Sequence, residues 1–153
     1  MPAYFKTLHK VLEQSRENPV FYVQYAHARV MSVLRKAQEA SMPVEDGALA
    51  AADLSGMTHE TELAVAKKLA EWPRLVEIAA RSHEPHRVAF YLYELAGDFH
   101  ALWNRGNDLP ELRFVQEGDI AATQAKMALA RAVSVVISAG LGILGVKPVQ
   151  EMR

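Results

Sequence analysis

The chain has 153 residues, half of them apolar and 23% charged, with a formal net charge of −1 and no cysteine. Its length suffices for one domain with its own core, and near-neutrality excludes wholesale capture of nucleic acid by a basic surface while leaving a local basic strip open. The missing thiols exclude disulfides, zinc–thiolate sites and cysteine nucleophiles together, and they fit a reducing, cytoplasmic compartment.

Apolar residues recur at helical spacing nearly throughout, and no two-residue alternation stands out. This predicts an all-α fold, a helical bundle of five to six helices. A short first helix is expected over about residues 4–14; "MPAYFKTLHK" carries charges and no apolar h-region, so it does not read as a secretory signal. "ENP" then supplies a start signal, with Asn18 as N-cap and Pro19 at the first helical position. The second helix, about 19–40, has an apolar stripe of Val20, Val23, Ala26 or His27, Val30, Val33 or Leu34, and Ala37. Residues 41–57 read mostly as loop, broken by Pro43, Gly47 and Gly56.

Thr58 is placed to cap a third helix, with Glu60, Thr61 and Glu62 in its first turn and an end near Glu71. Pro73 and Pro85 each open a further helix, the second running to Gly106, and residues 107–118 form a connector. Asp119, or the residue before it, opens the last long helix, which is expected to reach about Gly140. From Met127 to Leu141 that helix is apolar on nearly every side, which places it in the middle of the bundle. Residues 132–146 as a membrane helix would span roughly 22 Å, short of a hydrocarbon layer of ~30 Å. Arg131 and Lys147 also bracket the segment, so it reads as a buried core helix with no membrane partner.

Gly140, Gly142 and Gly145 match the G-x-G-x-x-G spacing of dinucleotide-binding loops. That motif needs a strand before it, a helix after it and an acidic residue ~20 positions on. Here a long helix comes first and Pro148 soon follows, so the glycines read as residues that end the helix and free the backbone to turn. His83 and His86 lack the H-E-x-x-H spacing, and Glu94, Asp98 and His100 do not give the Glu-x-x-His pattern, so no metal site is assigned. No G-x-S-x-G and no acid–base pair is present, so no catalytic residue is assigned either.

Two constellations carry more. Tyr22, Tyr25, Arg29, Ser32 and Lys36 follow steps of three and four, an aromatic, basic and hydroxyl strip along one helix with Arg35 beside it. Phe99 and Trp103, four apart, stand one turn above the other. Aromatic faces beside cations suit unpaired RNA, whose splayed bases stack and whose phosphates attract Arg and Lys. The same aromatic spacing also suits plain core packing.

At these residues the chain resembles a known family. "ENPVFYVQYAHARVMSVLRKA" resembles the start of the C-terminal anticodon-binding domain of bacterial class I arginyl-tRNA synthetases. "EPHRVAFYLYELAGDFHALWN" is similar to the middle of that domain, and "ALARAVSVVISAGLGILGVKPVQEMR" to its carboxyl end. The resemblance covers residues 17–153, the anticodon-binding helical bundle; residues 1–16 resemble the tail of the preceding region. The tetrapeptide Asp-Ala-Leu-Arg that names the wider family is not intact, with Ala128-Leu129-Ala130-Arg131 near its place. Leu102-Trp103 replaces an aromatic pair, and Arg153 extends past Met152.

The resemblance implies a tRNA-binding module that grips the anticodon stem-loop of tRNA-Arg. A separate catalytic domain of the parent arginine–tRNA ligase would use ATP. That domain's ATP signature and Lys-Met-Ser-Lys-type loop are not in this sequence, so the chain is expected to bind RNA without aminoacylating it and without a cofactor of its own. Tyr25 would stack on or hydrogen-bond to a loop base. Arg29 and Arg35 would contact base edges or phosphate, with Lys36 in the same strip. Phe99 and Trp103 would approach from the facing helix, and Met152 would pack close by. The glycine run would let the chain fold back toward the second helix. The rival expectation is a structural domain that docks on its own catalytic domain and contributes little RNA binding.

Overall fold

The computed structural model describes residues 18–152. The expected first helix over 4–14 and the 1–16 segment lie outside the described residues. In chain order the helices are α1 (Pro19–Glu39), α2 (Asp46–Ala50), α3 (Glu60–Ala70), α4 (Trp72–Ser82), α5 (His86–Asp108), a 3-10 turn (Pro110–Leu112) and α6 (Ile120–Ile143). No strand occurs among the described residues. The three long helices α1, α5 and α6 pack on one another; α3 and α4 cover α5, and α2 covers α6.

α1 starts where the sequence signals it. The Asn18 carboxamide oxygen accepts from the N–H groups of Val20 at 3.0 Å and Phe21 at 3.2 Å, and Pro19 needs no donor of its own at N1. Val23, Ala26, Val30, Val33, Leu34 and Ala37 are buried as expected. Val20 is the exception: it sits one turn too early to reach the core and is exposed.

The loop expected over 41–57 contains the short helix α2, held by Arg131. The Arg131 guanidinium donates to both Asp46 carboxylate oxygens, at 2.8 and 3.2 Å. That contact is tertiary, and no local pattern announces it. The cap of α3 is His59, not Thr58. Its Nδ1 accepts from the Thr61 N–H at 3.3 Å, while the Glu62 carboxylate accepts from the His59 N–H at 3.3 Å. Imidazole in place of a hydroxyl closes the capping box, which is why a search for the usual cap residues lands one position off. α4 begins at Trp72, just ahead of Pro73, and ends at His83 in the left-handed conformation, φ 55°. α5 continues past Gly106 to Asp108.

Among the described residues, Phe99, Leu92, Leu95, Leu102, Met127 and Ile137 are the largest fully buried side chains, and α5 supplies four of them. α6 is long and apolar enough to cross a membrane by length and composition, but less than half of its most apolar window is buried. Met127, Ala130, Val133, Ile137 and Leu141 face the bundle, while Val135 and Ile143 are half exposed. The expectation of a helix surrounded on all sides is therefore corrected: α6 lines the core and shows one apolar face outward.

The glycines divide by role. Gly140 and Gly142 lie inside α6 rather than ending it. Gly140 lets α5 approach, because a Cβ there would sit 2.7 Å from Leu92 Cδ2. Gly145, at φ +75°, makes the turn.

Candidate nucleic-acid interface

After Gly145 the chain returns along α1, as the resemblance implied. Buried Gln24 grips it twice: its Nε2 donates to the Lys147 carbonyl at 2.8 Å, and its Oε1 accepts from the Val149 N–H at 2.8 Å. His27 Nδ1–H donates to the Val149 carbonyl at 2.7 Å. Burial holds the His27 pKa below its ordinary value, outweighing the carbonyl partner. Further along, Arg35 donates to the Gln150 carbonyl at 3.3 Å and pairs with the Glu151 carboxylate at 3.5 Å.

The tail and α1 thus become two walls of a groove of about 440 Å³, closed on a third side by Trp103 of α5. Tyr25, Arg29, Arg35, Lys36, Trp103 and Met152 all line it, together with Ser32 and Glu151. Steps of three and four on α1 put Tyr25, Arg29, Ser32 and Lys36 on one face that flanks the core stripe, with Val33 at the boundary. Among the described residues, three cations against one carboxylate give the groove the sign that attracts phosphate.

Arg29 organises the site. One guanidinium nitrogen donates to His100 Nδ1 at 3.0 Å and another to the Tyr25 hydroxyl at 3.1 Å. Its Cζ lies 4.4 Å from the Tyr25 ring centroid and 5.0 Å from that of Trp103. A guanidinium only donates, so His100 Nδ1 is the acceptor and its Nε2–H points to the Tyr22 carbonyl at 3.3 Å. The Tyr25 and His100 rings stack at 5.5 Å and 29°. The fork and the ring faces together hold the cation in one orientation.

Tyr25 is 37% exposed and remains accessible at the rim of the groove. Tyr22 turns instead toward α5, against Tyr93 and His100. Phe99 corrects the sequence expectation: it is 0% exposed and offers no surface to a ligand. Its ring backs Trp103 at 6.2 Å and Phe114 at 5.6 Å, and so supports the groove from inside the core. Gln24 and Glu151 carry no expectation from the sequence, His27 is expected only as an alternative to Ala26 in the apolar stripe, and His100 is considered only as a metal ligand. The usable signal was two polar residues, Gln24 and His27, lying close to the apolar stripe of α1. Among the described residues, no three His, Asp or Glu side chains converge on a point that could hold a metal ion.

The DALR anticodon binding domain family matches residues 23–152. An arginine–tRNA ligase of Ruegeria pomeroyi is 76% identical over 144 residues, covering 94% of this chain and 25% of that protein. One from Roseobacter denitrificans is 74% identical over the same shares. The chain therefore spans about a quarter of the length of these curated relatives. Among solved structures, Thermus thermophilus arginyl-tRNA synthetase superposes with a TM-score of 0.70 at 28% identity, over 94% of this chain and 23% of that one. A putative arginyl-tRNA synthetase from Campylobacter jejuni gives 0.76 at 21% identity, over 95% of this chain and 29% of that one, a likeness of fold.

Proposed function

The chain belongs to the DALR anticodon binding domain family, and from that premise we propose that it serves an arginine–tRNA ligase by gripping the anticodon stem-loop of tRNA-Arg in the α1 groove. The observation that carries this reading is the meeting of Tyr25, Arg29, Arg35, Lys36, Trp103 and Met152 in one cavity, although they come from three separate parts of the chain. An unpaired loop base has the partly exposed Tyr25 and Trp103 rings to pack against, while Arg29 presents a fixed donor fork and Arg35 and Lys36 meet the RNA backbone. Phe99 serves only as backing. Arginine, ATP and the aminoacylation itself belong to the whole enzyme, and so does the cytoplasmic setting in which translation proceeds.

A binding titration tests the reading. A fluorescent tRNA-Arg anticodon hairpin is expected to bind this chain, with affinity falling steeply as salt rises because phosphates exchange counterions for Arg and Lys. Combined Tyr25→Ala and Arg29→Ala should abolish binding while the helical circular dichroism persists. Binding that is unchanged in this variant refutes the site.

The outward apolar face of α6, with Val135 at 50% and Ile143 at 52% exposure, favours a second reading. In it this face docks on the enzyme's own catalytic domain and the bundle contributes little RNA affinity. Absence of hairpin binding even at low salt would select it.

A further inference from the structure

Among the described residues, Glu151 is the one acidic side chain lining a groove whose other charged walls are Arg29, Arg35 and Lys36. Its carboxylate lies 3.5 Å from an Arg35 guanidinium nitrogen, and the same guanidinium holds the Gln150 carbonyl. The two side chains are 41% and 59% exposed, so solvent and competing anions reach both. Upstream the tail is fastened differently. Lys147 and Val149 are held by the buried side chains of Gln24 and His27. The anchored part of the tail ends at Val149, and the contacts of residues 150 and 151 rest on the exposed Arg35.

A carboxylate and a phosphodiester oxygen present the same acceptor to a guanidinium, so an anion already sitting on Arg35 marks where a phosphate would sit. Lys36, next to it on the groove wall, has no carboxylate partner among the described residues.

We propose that Glu151 occupies a phosphate subsite formed by Arg35 and Lys36, and that RNA must displace this carboxylate to bind. The C-terminal segment is then a built-in competitor that trims affinity for any polyanion and admits RNA whose loop engages the rest of the groove. The proposal rests on the RNA-binding reading above. An exposed pair is readily exchanged, so displacement weakens binding by a small factor rather than closing the groove.

The test is a double-mutant cycle on the full 153-residue chain, with the tRNA-Arg anticodon hairpin followed by fluorescence anisotropy at low salt. Glu151→Gln keeps the shape and removes the charge. It should tighten binding roughly two- to fivefold. In an Arg35→Gln background the same change should have almost no effect, because the guanidinium that the carboxylate holds is gone. Glu77→Gln, which removes a charge paired with Arg81 on α4, should gain less. A gain that persists with Arg35→Gln, or one that Glu77→Gln equals, would reduce the effect to net charge and overturn the proposal. Unchanged or weaker binding in Glu151→Gln overturns it as well. Failure of the unmodified chain to bind the hairpin sinks the functional reading together with this one, whereas normal binding without tightening in Glu151→Gln sinks the competitor alone.

Discussion

Replacing Gly140 and Gly142 by alanine, one at a time, should change stability in opposite directions although the two lie two residues apart on one helix. Alanine gains about 1 kcal/mol over glycine in a helix interior and less in a last turn. At Gly142 a Cβ would meet nothing within 4 Å, so only this gain operates, and Gly142→Ala is expected to stabilise by about 0.5 kcal/mol. At Gly140 the Cβ would lie 2.7, 2.9 and 3.0 Å from Leu92 Cδ2, Cδ1 and Cγ. Leu92 is 1% exposed and cannot swing away. Overpacking of this kind costs about 1–3 kcal/mol. Set against the propensity gain, a net loss of about 0.5–2.5 kcal/mol is expected, or roughly 1–10 °C in Tm for a chain of this size.

Urea unfolding followed by far-UV circular dichroism measures both variants. Leu92→Ala alone should cost about 2–5 kcal/mol. Combined with Gly140→Ala it should cost less than the sum of the two, because the truncated side chain makes room. A Gly140→Ala protein as stable as Gly142→Ala, or strict additivity with Leu92→Ala, would refute the account of Gly140 as a contact point between α5 and α6.

Two further outcomes follow from buried polar groups. Lys126 Nζ pairs with Glu62 Oε1 at 2.6 Å, and their side chains are only 12% and 4% exposed. Lys126→Met should therefore cost about 3–5 kcal/mol by leaving the buried carboxylate without its cation, with only part of the loss recovered in a Lys126→Met, Glu62→Met double variant, which also gives up the bond from the His59 N–H; equal stability of single variant and parent in urea would contradict this. His27 has a folded pKa lowered by burial, so the folded chain binds fewer protons than the unfolded one. Its contribution is full above the unfolded value of about 6.5 and is lost as pH falls through and below it. The urea midpoint should drop between pH 7.5 and 5.5 more steeply in the parent than in His27→Gln, and parallel profiles would exclude His27 as the cause.

Much of the site was legible because it follows from helical periodicity. Tyr25, Arg29, Ser32 and Lys36 share a face by spacing alone, and the complementary spacing of Val23, Val30 and Ala37 says which face is wet. Phe99 and Trp103 show the limit of that reasoning. A step of four leaves both on one side of α5, yet one is sealed in the core and the other reaches the groove, since the burial boundary depends on where Phe114 and α1 pack. His59 and α2 were missed for a related reason. An imidazole cap and a helix held by a distant arginine are not local propensities.

The sequence by itself determined an all-helical bundle, the start of α1 at Asn18-Pro19, the polar strip of α1 and, through resemblance, its relation to anticodon-binding domains. These depend on neighbours within a turn or two along the chain, where backbone geometry dictates what each residue can reach. Only the tertiary structure decided that Gly140 serves contact and Gly145 serves the turn, that Gln24 and His27 hold the returning tail, and that Glu151 sits on Arg35. The tail contacts join residues more than a hundred positions apart and Gly140 meets a leucine of another helix; such contacts are set by how whole helices pack, which no local pattern of residues encodes.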